Sequence, residues 1–357
     1  MDNTNQRKAL INGEIGLFIR GLIIGKVLTL MVIGGLLWWL LKPNLLSRNS
    51  LNSSNQNLNS LSSNASTFQT VPDVPNASFN YGGSTAWASI RQLVDSQIQS
   101  DRPELQLRYV NPVSGSPGSS SGIRMLLDGK IDFAQSSRPL TDEEQAMAKE
   151  RGFTLEQRQV GMDGVAVVVN PSLNVPSLTV DQLQQIYLGK ITNWNQVGGP
   201  NLAITPLSQR PEDADTVIFP SNSNLKGQAF GSNVQYVYST TEAVRQLSKT
   251  PGSVYYASAR SVLPQCSVKA LPLGSTSGKL IAPYREPLVS PEQCLRQRNQ
   301  LNTQAIKDGS YPLIANLFVI IKQNKGREQQ IGDAYAKLLL TDEGQRAIEQ
   351  AGFVAVP

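Results

Sequence analysis

The chain has 357 residues, of which 32 are Lys or Arg and 27 Asp or Glu, giving a formal net charge of +5 with 40% hydrophobic residues. This length suits two domains, or one large bilobal one, and is enough to bury a substantial core. It holds no histidine and two cysteines, Cys266 and Cys294, which excludes Ser-His-Asp catalysis, histidine-ligated metal and a zinc site built from four thiolates.

The first 42 residues differ in kind from the rest. Val27 to Leu41 is apolar except for Thr29, and with Gly21 to Gly25 it approaches the roughly 20 residues that cross a bilayer. Arg7, Lys8, Arg20 and Lys26 lie on its N-terminal side, so the positive-inside rule keeps that end cytoplasmic. Trp38 and Trp39 suit the opposite interface. A cleaved signal peptide is the competing reading, but no small-x-small site follows the Trp pair, and no nearby cysteine offers a lipid attachment. Residues 1–42 therefore read as a cytoplasmic tail and retained single-pass anchor in the cell (inner) membrane. Everything after them lies in the periplasm or extracytoplasmic space. Through residue 48 there are six basic residues against two acidic ones, so the basicity mostly records membrane orientation. It is no nucleic-acid footprint, which would need a clustered patch.

Residues 43–76 are rich in Ser and Asn with isolated Leu residues. Such a stretch buries too little apolar surface to offset its ordering entropy and reads as a disordered tether closed by Pro72 and Pro75. Folding is predicted to start near Ala77. Tyr81-Gly82-Gly83-Ser84-Thr85-Ala86 opens a helix whose stripe is Trp87, Ile90, Leu93, Val94 and Ile98. Leu105 to Val110 alternates as a strand. In Ser114 to Leu140, a Gly/Ser loop precedes the apolar pair Leu126 and Leu127, and Ile131 to Ala134 reads as a strand delivering Ser136, Ser137 and Arg138. Unpaired N–H groups and serine hydroxyls at a helix start favour an anion. An ordinary N-cap followed by a turn is the alternative.

Thr141 to Glu144 is a capping box for a helix that Gly152 ends, and Thr179 to Gln182 repeats the device ahead of Gly189. Val160 to Asn170 is nearly continuously apolar, as inside a mostly parallel sheet. Ala203 to Leu207 reads as a strand running into the polar turn Ser208 to Thr216. After the strand Leu317 to Ile321 come helices from Arg327 to Leu340 and from Asp342 to Ala351. Strands and helices alternate, so the class is α/β. Cys266 and Cys294 would close a 28-residue loop, for which a disulfide outside the cytoplasm contributes roughly 3–4 kcal/mol. Two unpaired buried thiols are the alternative.

Three polar turns at strand-to-helix junctions carry a family resemblance. The most specific stretch is Leu178 to Leu183, Ile186 to Trp194 and Gly198 to Asn201. Tyr81 to Thr85, Asp132 to Leu140, Tyr311 to Leu313 and Glu343 to Val354 support it. Over about Phe79 to Val356 the chain resembles the phosphate-binding proteins of ABC-type phosphate transporters (PstS-like), which are type II periplasmic binding proteins. The resemblance implies two α/β lobes, 77–162 plus 310–357 and 163–309, joined by crossover strands and closing on one oxyanion. It implies phosphate held by N–H groups, hydroxyls and one arginine, ABC permease subunits as partners, and neither catalysis, cofactor nor metal. Thr85 and the Ala86 amide fall on the first contact loop, Ser119 and Ser120 on the second, and Arg210 on the arginine, with Glu212 placed to steady it. Ser137 stands where several members carry an aspartate, which weakens selection of phosphate over sulfate. The family's Ser-Gly-Thr turn is here Ala214-Asp215-Thr216. A carboxylate at Asp215 facing an anion at about 4 Å would cost about 4 kcal/mol, a loss on the order of a thousandfold in affinity; turned to solvent, it costs far less. The leading expectation is a tethered phosphate receptor. The alternative is a degenerate domain acting as a sensor or protein-interaction module.

Overall fold

The computed structural model describes residues 66–210, 218–219 and 228–356. The anchor predicted over 1–42 and most of the predicted tether lie outside them, and among the described residues no helix is long and apolar enough to cross a membrane. Packing begins before the predicted Ala77. Phe68, in the 3-10 turn Phe68–Thr70, is fully buried, its N–H donates to Glu343 (2.8 Å), and the Ser66 N–H donates to Asp342 (2.7 Å). One aromatic ring accounts for this departure, since burying a phenylalanine contributes about 1.5–3 kcal/mol.

Strand β1 (Ala77–Gly83) leads into a continuous helix α1 over 85–101. It passes from a 3-10 turn (Thr85–Trp87) through an α turn (Ala88–Ile90) and a π turn (Arg91–Asp95) to a last α segment (Ser96–Asp101). Next come β2 (Leu105–Tyr109), α2 (Ser119–Leu127), β3 (Phe133–Ser136), α3 (Asp142–Glu150) and the long β4 (Thr154–Val169). The middle of the chain supplies β5 (Leu178–Thr179), α4 (Val180–Tyr187), β6 (Thr205–Ser208), β7 (Gln235–Tyr236), α5 (Thr240–Leu247), β8 (Ser253–Ser258), α6 (Ala259–Val262), β9 (Lys269–Leu271) and β10 (Leu273–Gly274). Then follow α7 (Thr303–Lys307), β11 (Ile314–Gln323), α8 (Arg327–Leu339) and α9 (Asp342–Gln350).

The main sheet runs β2-β1-β3-β11-β4-β8-β6-β7, with β9 beside β4. Its two ends are parallel, β1 with β2 and β3, and β6 with β7 and β8. Its middle is antiparallel, which corrects the parallel environment predicted for Val160 to Asn170: β4 pairs antiparallel with β11, β8 and β9. Val165 to Val169 are buried to within 1%. The unbroken apolar run thus reports burial on both faces, and burial does not fix strand direction.

The hydrophobic core is divided. Phe79, Trp87, Phe133, Val160, Leu317 and Tyr335 belong to one cluster, and Ile123, Leu126, Leu127 and Ile320 to a smaller one sharing β3, β4 and β11 with it. Val165 to Val169, Tyr187, Trp194 and Tyr255 form the other main cluster. The change-over falls between Val160 and Val165 on β4, and between Ala315 and Leu317 on β11. β4 and β11 pair side by side there, with a register shift at Leu317/Phe318. The fold is thus α/β with two domains.

Local rules explain most helix ends. Thr141 Oγ accepts from the Glu144 N–H (3.2 Å), and the Glu144 carboxylate accepts from the Thr141 N–H (2.9 Å). Thr179 and Gln182 repeat the exchange (3.1 and 2.8 Å). The stretch most specific to the family resemblance is scaffold. Tyr187 is buried and its hydroxyl donates to the Leu207 carbonyl (2.8 Å), and the buried Trp194 donates its ring N–H to the Gly252 carbonyl (3.0 Å). Cys266 and Cys294 are joined in a disulfide, with Cα atoms 5.5 Å apart.

Candidate anion site

Two glycines let the starts of α1 and α2 approach each other. Gly83 ends β1 at φ +121°, where a Cβ would fall 2.1 Å from the Gln135 carbonyl oxygen. A Cβ on Gly122 would fall 2.3 Å from the Gly83 Cα. Neither position admits a side chain without moving backbone. The approach gathers three serines from three elements. The Ser84 and Ser137 hydroxyls hydrogen-bond to each other, and the Ser137 N–H donates to Ser119 Oγ (2.9 Å). All three are buried. β3 ends at Ser136, two residues beyond the predicted strand, and it is this strand that carries Ser137 to the patch.

Thr85, next to Ser84, lines a cavity of about 340 Å³ together with Pro117, Gln209, Tyr238, Ser239 and Thr240. Residues from the start of α1 and from the loop before α2 thus face the segment after β6 and the start of α5. The Tyr238 hydroxyl donates to the Gly115 carbonyl (3.2 Å), joining the loop before α2 to the turn before α5.

Of the sequence-predicted residues, Thr85, Ala86, Ser119, Ser120 and Ser137 come together around this patch. Their roles differ in detail. The Ala86 N–H, predicted as an anion donor, donates to Ser84 Oγ (3.2 Å), so Ser84 caps the helix there. Ser120 Oγ accepts from the Arg138 guanidinium (2.8 Å). Arg210 follows the cavity-lining Gln209 but is exposed, with its guanidinium 5.1 Å from the centre of the Tyr236 ring. Glu212, Ala214, Asp215 and Thr216 lie outside the described residues.

Sequence reasoning placed Arg138 beside the serines but missed its buried pairing with Glu144, and it missed Arg91. Arg138 is 6% exposed and pairs with Glu144 through two hydrogen bonds (2.6 and 3.0 Å). Glu144 therefore serves the α3 capping box and this buried pair at once. The available signal was an arginine in the Ser-rich turn a few residues before a capping-box glutamate. Arg91 donates to the Ser84 carbonyl and to Gln135 Oε1 (both 2.9 Å), and its guanidinium lies 4.0 Å from the centre of the Tyr109 ring. Behind it Gln135 donates to the Tyr335 hydroxyl (2.8 Å), and Tyr335 and Tyr81 both donate to the buried Asp95 carboxylate (2.7 and 2.6 Å). Burial pushes Asp95 up to about 6, against the opposing pull of the two tyrosine hydrogen bonds and the Arg91 charge. This network holds Arg91 against the Ser84 carbonyl from behind. Among the described residues no cluster of His, Cys, Asp or Glu could hold a metal ion.

A sequence model of the PBP superfamily domain matches residues 70–343. The chain is 26% identical over 285 residues to the phosphate-binding protein PstS of Staphylococcus haemolyticus, covering 77% of this chain and 80% of that one. It is 25% identical over 282 residues to PstS of a Staphylococcus epidermidis strain, covering 77% and 78%. Among solved structures, an ABC-type phosphate transport receptor from Vibrio cholerae superposes with a TM-score of 0.55 at 22% identity, covering 78% of this chain and 100% of that one. A Clostridium perfringens chain crystallised with bound phosphate gives a TM-score of 0.59 at 19% identity, with coverage of 79% and 100%. The likeness to these structures is one of fold. The match over 70–343 is what assigns the chain: it belongs to the PBP superfamily, within which it resembles the PstS-like phosphate-binding proteins.

Proposed function

We propose that the protein is a membrane-tethered extracytoplasmic binding protein that captures an inorganic oxyanion, phosphate foremost, for an ABC importer. The observation that carries this reading is the buried serine patch, Ser84, Ser119 and Ser137, gathered at two helix starts beside a cavity that Thr85 lines. Hydroxyls and helix N–H groups recognise negative charge without bringing a counter-charge of their own. The lobes, taken as 77–162 plus 310–357 and 163–309, close on the anion. Thr85, Ala86, Ser119, Ser120 and Ser137 supply one side of the contact, and Arg210, Ala214, Asp215 and Thr216 the other. Closure covers Arg210, and the anion bridging the lobes shifts the open–closed equilibrium. The protein is a carrier and no enzyme; its partners are the anion and the importer's permease subunits. Family membership and the phosphate-binding relatives support the reading. Ser137 accepts as well as donates and adds no like charge, so the site admits sulfate as readily as a protonated phosphate.

Isothermal titration of the full-length chain with phosphate, sulfate, arsenate and molybdate tests this. One oxyanion should bind per chain, and Arg210→Ala should weaken it by about 2–5 kcal/mol, the cost of leaving a buried charge without its partner. If no oxyanion binds at millimolar concentration, the sensor or interaction-module reading replaces it.

A further inference from the structure

A second cavity, of about 390 Å³, lies on the other side of α6 from the first. Ser261 and Gln265 line the anion cavity, whereas Arg260, Leu263 and Pro264, from the same helix and turn, line this one. Three arginines from separate segments meet there: Arg260 on α6, Arg285 inside the loop closed by the disulfide, and Arg298 just past it. Their hydrogen bonds run to neutral oxygen and sulfur atoms, and among the described residues only Arg260 of the three feels a buried carboxylate, that of Asp163 behind the cavity wall. Arg260 donates to the Ala351 carbonyl (2.8 Å), Arg285 to Gln300 Oε1 (3.4 Å) and Arg298 to the Pro264 carbonyl (3.0 Å). Glu349 is the carboxylate among the lining residues, and it is paired with Lys307 (2.8 Å).

Three guanidiniums around one cavity repel each other, and an anionic ligand relieves that repulsion. The volume is that of a small-molecule pocket, and guanidiniums offer paired N–H groups matched to carboxylate and phosphate oxygens. Arg298 also lies against the sulfurs of Cys266 and Cys294, so the disulfide pre-positions one of the three and lowers the ordering cost of binding. We propose that this cavity is a second anion site, separate from the serine site, and that it takes a small polyanion carrying two or more carboxylate or phosphate groups.

The test is isothermal titration of the full-length chain with pyrophosphate and with citrate, each with and without saturating inorganic phosphate. At least one probe should bind one-to-one whether or not phosphate is present, and more weakly as salt rises. Arg285→Ala and Arg298→Ala should each weaken that binding roughly 10–100-fold and leave phosphate binding unchanged, whereas Arg210→Ala should leave probe binding as it was. Arg285 and Arg298 are exposed, and circular dichroism of each variant checks folding, with Arg285→Glu as a second, stronger variant at one position. The proposal is overturned if neither probe binds at millimolar concentration. It also fails if all three variants at Arg285 and Arg298 bind the probe like wild type, or if Arg210→Ala abolishes probe binding. Because the probe is read with phosphate both present and absent, failure here is distinct from failure of the serine site.

Discussion

Glu144→Ala should be among the most damaging single changes in α3. Glu144 is paired bidentately with Arg138, and their side chains are 13% and 6% exposed. Removing the carboxylate leaves a guanidinium in a nearly dry environment, for which the cost is about 3–5 kcal/mol. It also removes the acceptor for the Thr141 N–H at the start of α3. Total stability of a folded domain is about 5–15 kcal/mol, so a fifth or more is at stake. The exposed pair Arg151–Asp128, at 38% and 43%, is the internal control; Arg151→Ala should cost at most about 1 kcal/mol. Urea unfolding of the two variants beside wild type reads both values. The double variant Arg138→Met/Glu144→Leu should recover most of the loss, since an apolar replacement of a buried pair is close to neutral. Anion affinity should fall in the single variant, because Arg138 also donates to Ser120. A loss under 1 kcal/mol for Glu144→Ala, or a double variant no better than the single one, refutes the reasoning.

Reduction of Cys266–Cys294, or Cys266→Ser, should lower stability by roughly 3–4 kcal/mol for a loop of 28 residues; thiol alkylation under non-reducing denaturation should label neither cysteine. Asp95 and Asp163 have folded-state values raised by burial to about 6 and about 7. Each therefore contributes stability that is complete below the unfolded value near 3.8 and is lost as pH rises through about 6 and about 7. Melting temperature plotted against pH should decline over that window, and Asp163→Asn should flatten its upper part; an unchanged slope in the variant counts against the assignment. The proposal of a retained anchor predicts a mature N-terminus ahead of Leu41, and mass spectrometry finding it anywhere later would reverse that proposal.

What the sequence by itself determined is what lies within a few residues along the chain. The capping boxes at Thr141 and Thr179, the stops at Gly152 and Gly189, and helices α8 and α9 were legible because an N-cap bond spans three residues and an apolar stripe repeats every turn. Ser119 and Ser137 could be placed near a helix start and a strand end for the same reason, whereas Ser84 was read only as part of a turn. Their mutual contacts were not legible. Ser84 meets Ser137, and Asp95 meets Tyr335, across 53 and 240 residues, and local pattern carries no information about which distant hydroxyl will arrive. The antiparallel setting of β4 was hidden because strand direction depends on the route of the chain, while the apolar run depends only on burial. Phe68 gave no periodic signal, being a single ring in a polar stretch, and the cluster it joins is assembled from segments distant in sequence. Charge placement was decided by tertiary structure as well. Arg138 is buried because Glu144 neutralises it there, and Arg210 is exposed over Tyr236, a difference that no property of the two arginines in sequence could supply.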